Sequence, residues 1–198
     1  MYIIALTGGI GSGKTIIRKL FQENYKINTI CADECARRVL QKEDIIESIK
    51  KKFGKNIIIK NEINRKKLRE IITESKESRE WINKLMHPPI RDMMHKESIH
   101  NNSIYSLIEI PLLTKSSLKY YKYLKKIITV IAPLNEKIDR IIERDNQSRE
   151  STLKLIKNQI DDTERLSFSD YVVKNTKSKK LLLPQIRKIH KKILENIK

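Results

Sequence analysis

The chain has 198 residues, of which 39% are hydrophobic and 33% charged, and its formal net charge is +18. That is enough chain for one hydrophobic core with insertions. No apolar run approaches the ~18 residues of a membrane-spanning helix, so a helical membrane protein is excluded. The positive excess is mostly lysine, spread as Lys50–Lys52, Lys125–Lys126, Lys179–Lys180 and Lys191–Lys192, and aromatics are only 6%. Stacking platforms for nucleic acid are therefore scarce. The charge reads as compositional drift with a general attraction for phosphorylated ligands, and no specific nucleic-acid partner is expected. A basic nucleic-acid-binding module is the rival from another class, with steep salt dependence as its mark. Cys31 and Cys35 lie in no metal-ligand cluster. The expected location is the cytoplasm, where a structural disulfide is not expected.

Tyr2–Leu6 is an apolar run and predicts the first strand. It leads into Gly8-Gly9-Ile10-Gly11-Ser12-Gly13-Lys14-Thr15, the phosphate-binding-loop pattern of Gly, four residues, Gly-Lys-Ser/Thr. A secretory leader is not expected here, because cleaving it would destroy this loop. Glycines let the backbone curl so that its N–H groups face phosphate oxygens, and the next helix adds its positive end. Lys14 is expected to reach the β- and γ-phosphates, and the Thr15 hydroxyl to ligate magnesium. The ligand class is a nucleoside triphosphate.

Thr15–Asn24 reads as a helix and Ile27–Cys31 as the second strand. Asp33 follows where ligands gather at strand carboxyl ends; it either orients a substrate hydroxyl and accepts its proton or N-caps the next helix. Glu34–Phe53 reads as a helix, with Arg37 on the face of Asp33, as a ligand contact or a solvated side chain. Asn56–Glu62 reads as a connection. Asn64–Thr73, Ser75–Met86 and Ile90–Ser98 read as helices, with His87-Pro88-Pro89 as an interruption. His87 either touches a ligand or bonds a helix end. The stretch 34–100 thus reads as a helical insertion.

Ser103–Ile110 is the third expected strand. Glu109 within it is a buried carboxylate that needs a partner, for which hydrated magnesium is expected. Ile127–Ile131 and Tyr171–Lys174 complete the strands. Between them, Asn135–Asp145 reads as a helix with Arg140 and Arg144 on one face, followed by Arg149 and Arg165. Arginine binds phosphate through its planar fork, so 135–166 is expected to be a lid; salt-bridged solvent faces are the other reading. Ser178–Ile197 holds a closing helix, with Pro184 in its first turn.

Seven separated stretches resemble the dephospho-coenzyme A kinase family: ALTGGIGSGKT at Ala5–Thr15, CADECARRVL at Cys31–Leu40, LMHPPI at Leu85–Ile90, EIPLL at Glu109–Leu113, RIIERDNQSRE at Arg140–Glu150, Gln159, and SDYVVKN at Ser169–Asn175. The resemblance covers nearly the whole chain in order. It implies phosphorylation of the ribose 3′-hydroxyl of dephospho-coenzyme A by ATP. It implies an α/β, P-loop NTPase three-layer fold with a five-stranded parallel sheet, a helical acceptor-binding insertion and a helical lid. The corresponding ranges are 1–33, 101–134 and 167–198 for the nucleotide core, 34–100 for the acceptor domain and 135–166 for the lid. Gly9, Gly11, Ser12, Gly13, Lys14, Thr15 and Ile16 are then the ATP-binding set. Asp33, Lys14, Arg140 and Arg144 are the catalytic set, and Asp33, Arg37, His87, Leu112 and Leu113 face the acceptor. Thr15 and Glu109 are the expected magnesium ligands.

Three positions depart from the family pattern. Cys31 stands where the family has a first aspartate, Lys115 where it often has glutamate, and Ile16 where it has a small or hydroxylated residue. A monomer or small homo-oligomer is expected. A related small-molecule kinase is the alternative, and the absence of an Asn-Lys-x-Asp motif disfavours a regulatory GTPase.

Overall fold

The computed structural model describes residues 1–176 and 178–197, leaving aside the side chain of Lys179. Lys177 and Lys198, both inside the expected core stretch 167–198, lie outside the described residues. In chain order the elements are β1 (Tyr2–Gly8), α1 (Lys14–Tyr25), β2 (Asn28–Cys31), α2 (Ala32–Val39), α3 (Glu43–Phe53), β3 (Ile58–Ile59), β4 (Glu62–Ile63), α4 (Arg65–Glu74), α5 (Lys76–Ile99), β5 (Tyr105–Glu109), β6 (Leu124–Ile131), α6 (Leu134–Asp145), α7 (Arg149–Lys157), α8 (Asp162–Leu166), β7 (Tyr171–Lys174) and α9 (Leu182–Ile197). They form two compact units, residues 1–30 with 98–198, and residues 31–97. The segment 135–166 belongs to the first unit.

The first unit is built on a five-stranded parallel sheet in the order β2-β5-β1-β6-β7. β1 is its centre, and Ile3 through Gly8 are all buried. A strand covered on both faces reads as a continuous apolar run, which is why Tyr2–Leu6 was legible without alternation. Ile4 and Leu6 pack with Ile17 and Phe21 of α1 and with Ile186, Ile189 and Ile193 of α9. The last three recur at helical spacing and turn one stripe of α9 to the core. The chain leaves β1 towards one side of the sheet and returns to its other side at β6. The loop after β1 therefore lies at a topological switch point, where open α/β sheets bind ligands.

The second unit packs Val39, Ile45, Ile49, Ile57, Leu68, Ile82 and Met86 into its own core. Three expectations change here. The expected single helix over 34–53 is two helices; on one continuous helix Val39 and Ile45 would stand about 120° apart. The break lets both reach the same core, with Lys42 extended at the start of α3. The connection 56–62 contains an antiparallel hairpin pairing Ile58 with Ile63 and Ile59 with Glu62. Its turn residues Lys60 and Asn61 have φ of 50° and 64°, the left-handed pair that matches strand twist. Finally, Pro88 and Pro89 do not end a helix: α5 runs through them. Each interior proline costs about 3 kcal/mol through a lost N–H and a clash with the preceding turn. Ile82 and Met86 before them, with Ile90 and Met93 after them, hold the helix on one core, at about 1.5–3 kcal/mol per large buried side chain.

Candidate active site

The loop from Gly8 to Lys14 joins the end of β1 to the start of α1. Gly11 has φ +73°, and a Cβ there would lie 2.6 Å from the Lys137 carbonyl oxygen of α6. Gly13 has φ +91°, and its missing side chain leaves room for the Asn175 carboxamide. Both glycines are needed for backbone angle and for close approach. Lys14 Nζ donates to the Gly8 and Gly9 carbonyls at 3.0 and 3.2 Å, so the ammonium lies folded onto the loop. Thr15 and Ile16 are exposed on the first turn of α1, while Ser12 is buried.

Distant segments fix this loop. Asn175, buried just past β7, donates from Nδ2 to the Ser12 carbonyl at 2.7 Å. Arg140 Nη1 donates to the Gly11 carbonyl at 3.1 Å, and Nη2 reaches the Glu136 carboxylate at 2.7 Å and the Asn175 carbonyl at 3.4 Å. Arg140 is therefore a pin between loop, α6 and the end of β7. Arg144 differs: it is largely exposed and binds the neighbouring Asp145 through two hydrogen bonds of 2.7 Å. That bond holds the Asp145 carboxyl below its ordinary range. The Ile10 N–H donates to Gln159 Oε1 at 2.9 Å, and Arg165 Nη2 reaches the same oxygen at 3.3 Å. Asp162 pairs with both Arg165 and the buried Lys137.

The other expected site residues divide by environment. Glu109, at the end of β5 beside Leu6, is buried, and its Oε2 lies 2.9 Å from Arg18 Nε of α1. A protein cation thus stands at the carboxylate for which a metal was expected. Leu112 is 70% exposed and Leu113 1% exposed, so the pair splits into one surface and one core side chain. Asp33, Arg37 and His87 belong to the second unit. Cys31, not Asp33, occupies the N-cap of α2, which removes the capping alternative for Asp33. Asp33 lies exposed in the first turn, and Arg37 Nε donates to its carbonyl at 3.3 Å. His87 is exposed as a residue, yet its imidazole is shifted towards the neutral form, first by lost hydration and second by Arg91. Cys31 and Cys35 form no disulfide, and burial followed by the Glu97 charge pushes the Cys35 thiol up to about 11.

Lys137, Asp162 and Glu136 carried no sequence signal, since buried charge on an amphipathic helix is indistinguishable from its solvated face. An open surface depression of about 720 Å³ is lined by Lys19, Lys26, Asn28 and Asn101 at the amino ends of β2 and β5. That is the wrong end of the sheet for a ligand held by the loop. A smaller cavity of about 280 Å³ is lined by Gly9, Ile10, Lys137, Gln159, Asp162 and Arg165.

A glycine-rich loop between the central strand and the next helix of a parallel sheet, with its lysine folded onto the loop, defines a P-loop nucleotide-binding protein. The CoaE family model, dephospho-CoA kinase, matches residues 2–196. A dephospho-CoA kinase of Legionella pneumophila is 36% identical over 204 residues, covering 100% of this chain and 98% of the relative. Among solved structures, a Thermus thermophilus protein superposes with a TM-score of 0.82 at 25% identity, covering 100% of this chain and 98% of that one. The dephospho-CoA kinase of Campylobacter jejuni gives a TM-score of 0.72 at 27% identity, covering 98% of each chain. The chain belongs to the dephospho-CoA kinase family.

Proposed function

We propose that this chain transfers the terminal phosphoryl group of ATP to the ribose 3′-hydroxyl of dephospho-coenzyme A, giving coenzyme A and ADP. The observation that carries this reading is the phosphate loop with its folded Lys14, in a chain matched to one kinase family from residue 2 to residue 196. The loop N–H groups and Lys14 hold the β- and γ-phosphates. Asp33, solvated on the first turn of α2, orients the 3′-hydroxyl and takes its proton as the hydroxyl oxygen bonds to phosphorus and the bond to the ADP oxygen breaks. Arg37, His87, Leu112 and Leu113 are the acceptor-facing residues of this reading, Leu112 exposed and Leu113 buried. Arg140 keeps the loop in shape, and Arg144 exchanges Asp145 for the transferred phosphate.

Among the described residues no group of three or more His, Cys, Asp or Glu side chains is placed to hold a metal. The donor set still fits magnesium, which keeps several waters and takes only one or two protein ligands beside phosphates. Thr15 supplies the hydroxyl, and Glu109, bonded to Arg18, acts only through water. A bound ion, held by Thr15, would offset the charge of the phosphates.

The working partition is a nucleotide core of 1–33, 101–134 and 167–198, an acceptor domain of 34–100 and a lid of 135–166, in a cytoplasmic monomer or small homo-oligomer. ADP release is measured with ATP and magnesium, with and without dephospho-coenzyme A. Equal yields of ADP and coenzyme A that need the acceptor are expected. ADP release that ignores the acceptor would overturn the reading.

A further inference from the structure

Two donors converge on one neutral oxygen beside the phosphate loop. The Ile10 N–H and Arg165 Nη2 both point at Gln159 Oε1, at 2.9 and 3.3 Å. A backbone N–H and a guanidinium converging on one point is the arrangement that binds a phosphate oxygen. Lys137 and Arg165, both buried, share the single carboxylate of Asp162. Asp161, which accepts from the Glu164 N–H at 2.6 Å, adds a second negative charge near Arg165. Arg165 is 2% exposed, and its Nε has no hydrogen-bond partner among the described residues. Its ordinary pKa is lowered, burial outweighing the opposing charges of Asp162, Asp161 and Glu164. The cavity of about 280 Å³ opens beside these groups.

We infer that the Ile10 N–H and Arg165 form a subsite for an oxygen of the terminal phosphate of ATP, for which the Gln159 carboxamide oxygen competes. Asp162 and Lys137 are the positioning residues that hold Arg165 in place. The inference rests on the ATP-binding reading above and adds a residue to it. Only ATP carries the terminal phosphate, so the subsite separates ATP from ADP.

The test is calorimetric titration of magnesium-ATP and magnesium-ADP into the full chain, its Gln159→Glu variant and its Arg165→Lys variant. Gln159→Glu is nearly isosteric and sets a carboxylate on the two donors. ATP affinity should fall by at least about tenfold at pH 8 while ADP affinity moves by less than about threefold. The ATP loss should shrink as pH drops through the range where the new carboxyl protonates. Arg165→Lys keeps the charge but loses the planar fork, and should weaken ATP several-fold more than ADP. Equal shifts for both nucleotides, or none, would overturn the inference; that is what a merely structural ion cluster gives. If Arg165→Lys fails to fold, Gln159→Glu alone decides. A parent chain that binds neither nucleotide would overturn the ATP reading itself, an outcome distinct from parent binding without discrimination in the variants.

Discussion

The phosphate loop and the acceptor-side residues are held in opposite ways. Ile10, Gly11 and Ser12 are tied by Gln159, Arg140 and Asn175, which lie 129 to 163 residues away along the chain. Asp33, Arg37 and His87 are exposed, and Arg37 Nε donates to the Asp33 carbonyl only four residues earlier. A loop that must present N–H groups to phosphate gains from being set beforehand, because reorganisation at the moment of reaction is costly. A carboxylate that must accept a proton and release product gains from staying solvated. The contrast follows the division into two units, and in each the degree of restraint suits the chemistry asked of it.

The largest effect should come from removing the cation of the rigid side. Lys14→Ala should lower turnover by about 10²–10³-fold with the fold retained, read by steady-state rates and circular dichroism. Unimpaired turnover would remove the loop from the mechanism. Next comes the solvated side. Asp33→Asn should lower kcat by more than about tenfold and leave ATP affinity within about twofold. A matching loss of ATP affinity would show that the two sides are not separately held. Smaller again is Asn175→Ala, which leaves the buried Ser12 carbonyl without its donor. It should cost about 1–3 kcal/mol in denaturant unfolding and weaken ATP, whereas a change confined to stability would mean that the loop keeps its shape alone.

The smallest effect concerns the core at the amino end of the sheet, away from the loop. His190 bonds the Tyr105 hydroxyl at 2.8 Å and stacks on Tyr25, with its pKa lowered from 6.5 by burial. The folded state therefore prefers the neutral ring, and the unfolded state binds more protons below about pH 6.5. This contribution is present above about 6.5 and lost as pH falls through the depressed folded value. Thermal melts between pH 8 and 5 should show the loss, and His190→Gln should flatten it.

Legibility in the sequence followed the same division. The loop, β1 and the late strand β7 were readable because a glycine pattern and short apolar runs are local signals. α5 was not, because local proline chemistry predicts a break that Ile82, Met86 and Ile90 override through packing. The β3–β4 hairpin hid behind a Lys-Asn turn with no glycine. Arg140 was visible as phosphate chemistry, but its role as a pin depends on Gly11 and Asn175, contacts that no spacing encodes. Glu109 was correctly singled out as a buried carboxylate needing a partner; Arg18, one turn into α1, gave no sign of being that partner.

The most direct measurement is phosphorus NMR of the product made from ATP and dephospho-coenzyme A. The account predicts one new phosphomonoester on the ribose 3′-oxygen, formed in step with ADP and formed more than about tenfold more slowly by Asp33→Asn. Phosphate on another oxygen, or inorganic phosphate in its place, would contradict it.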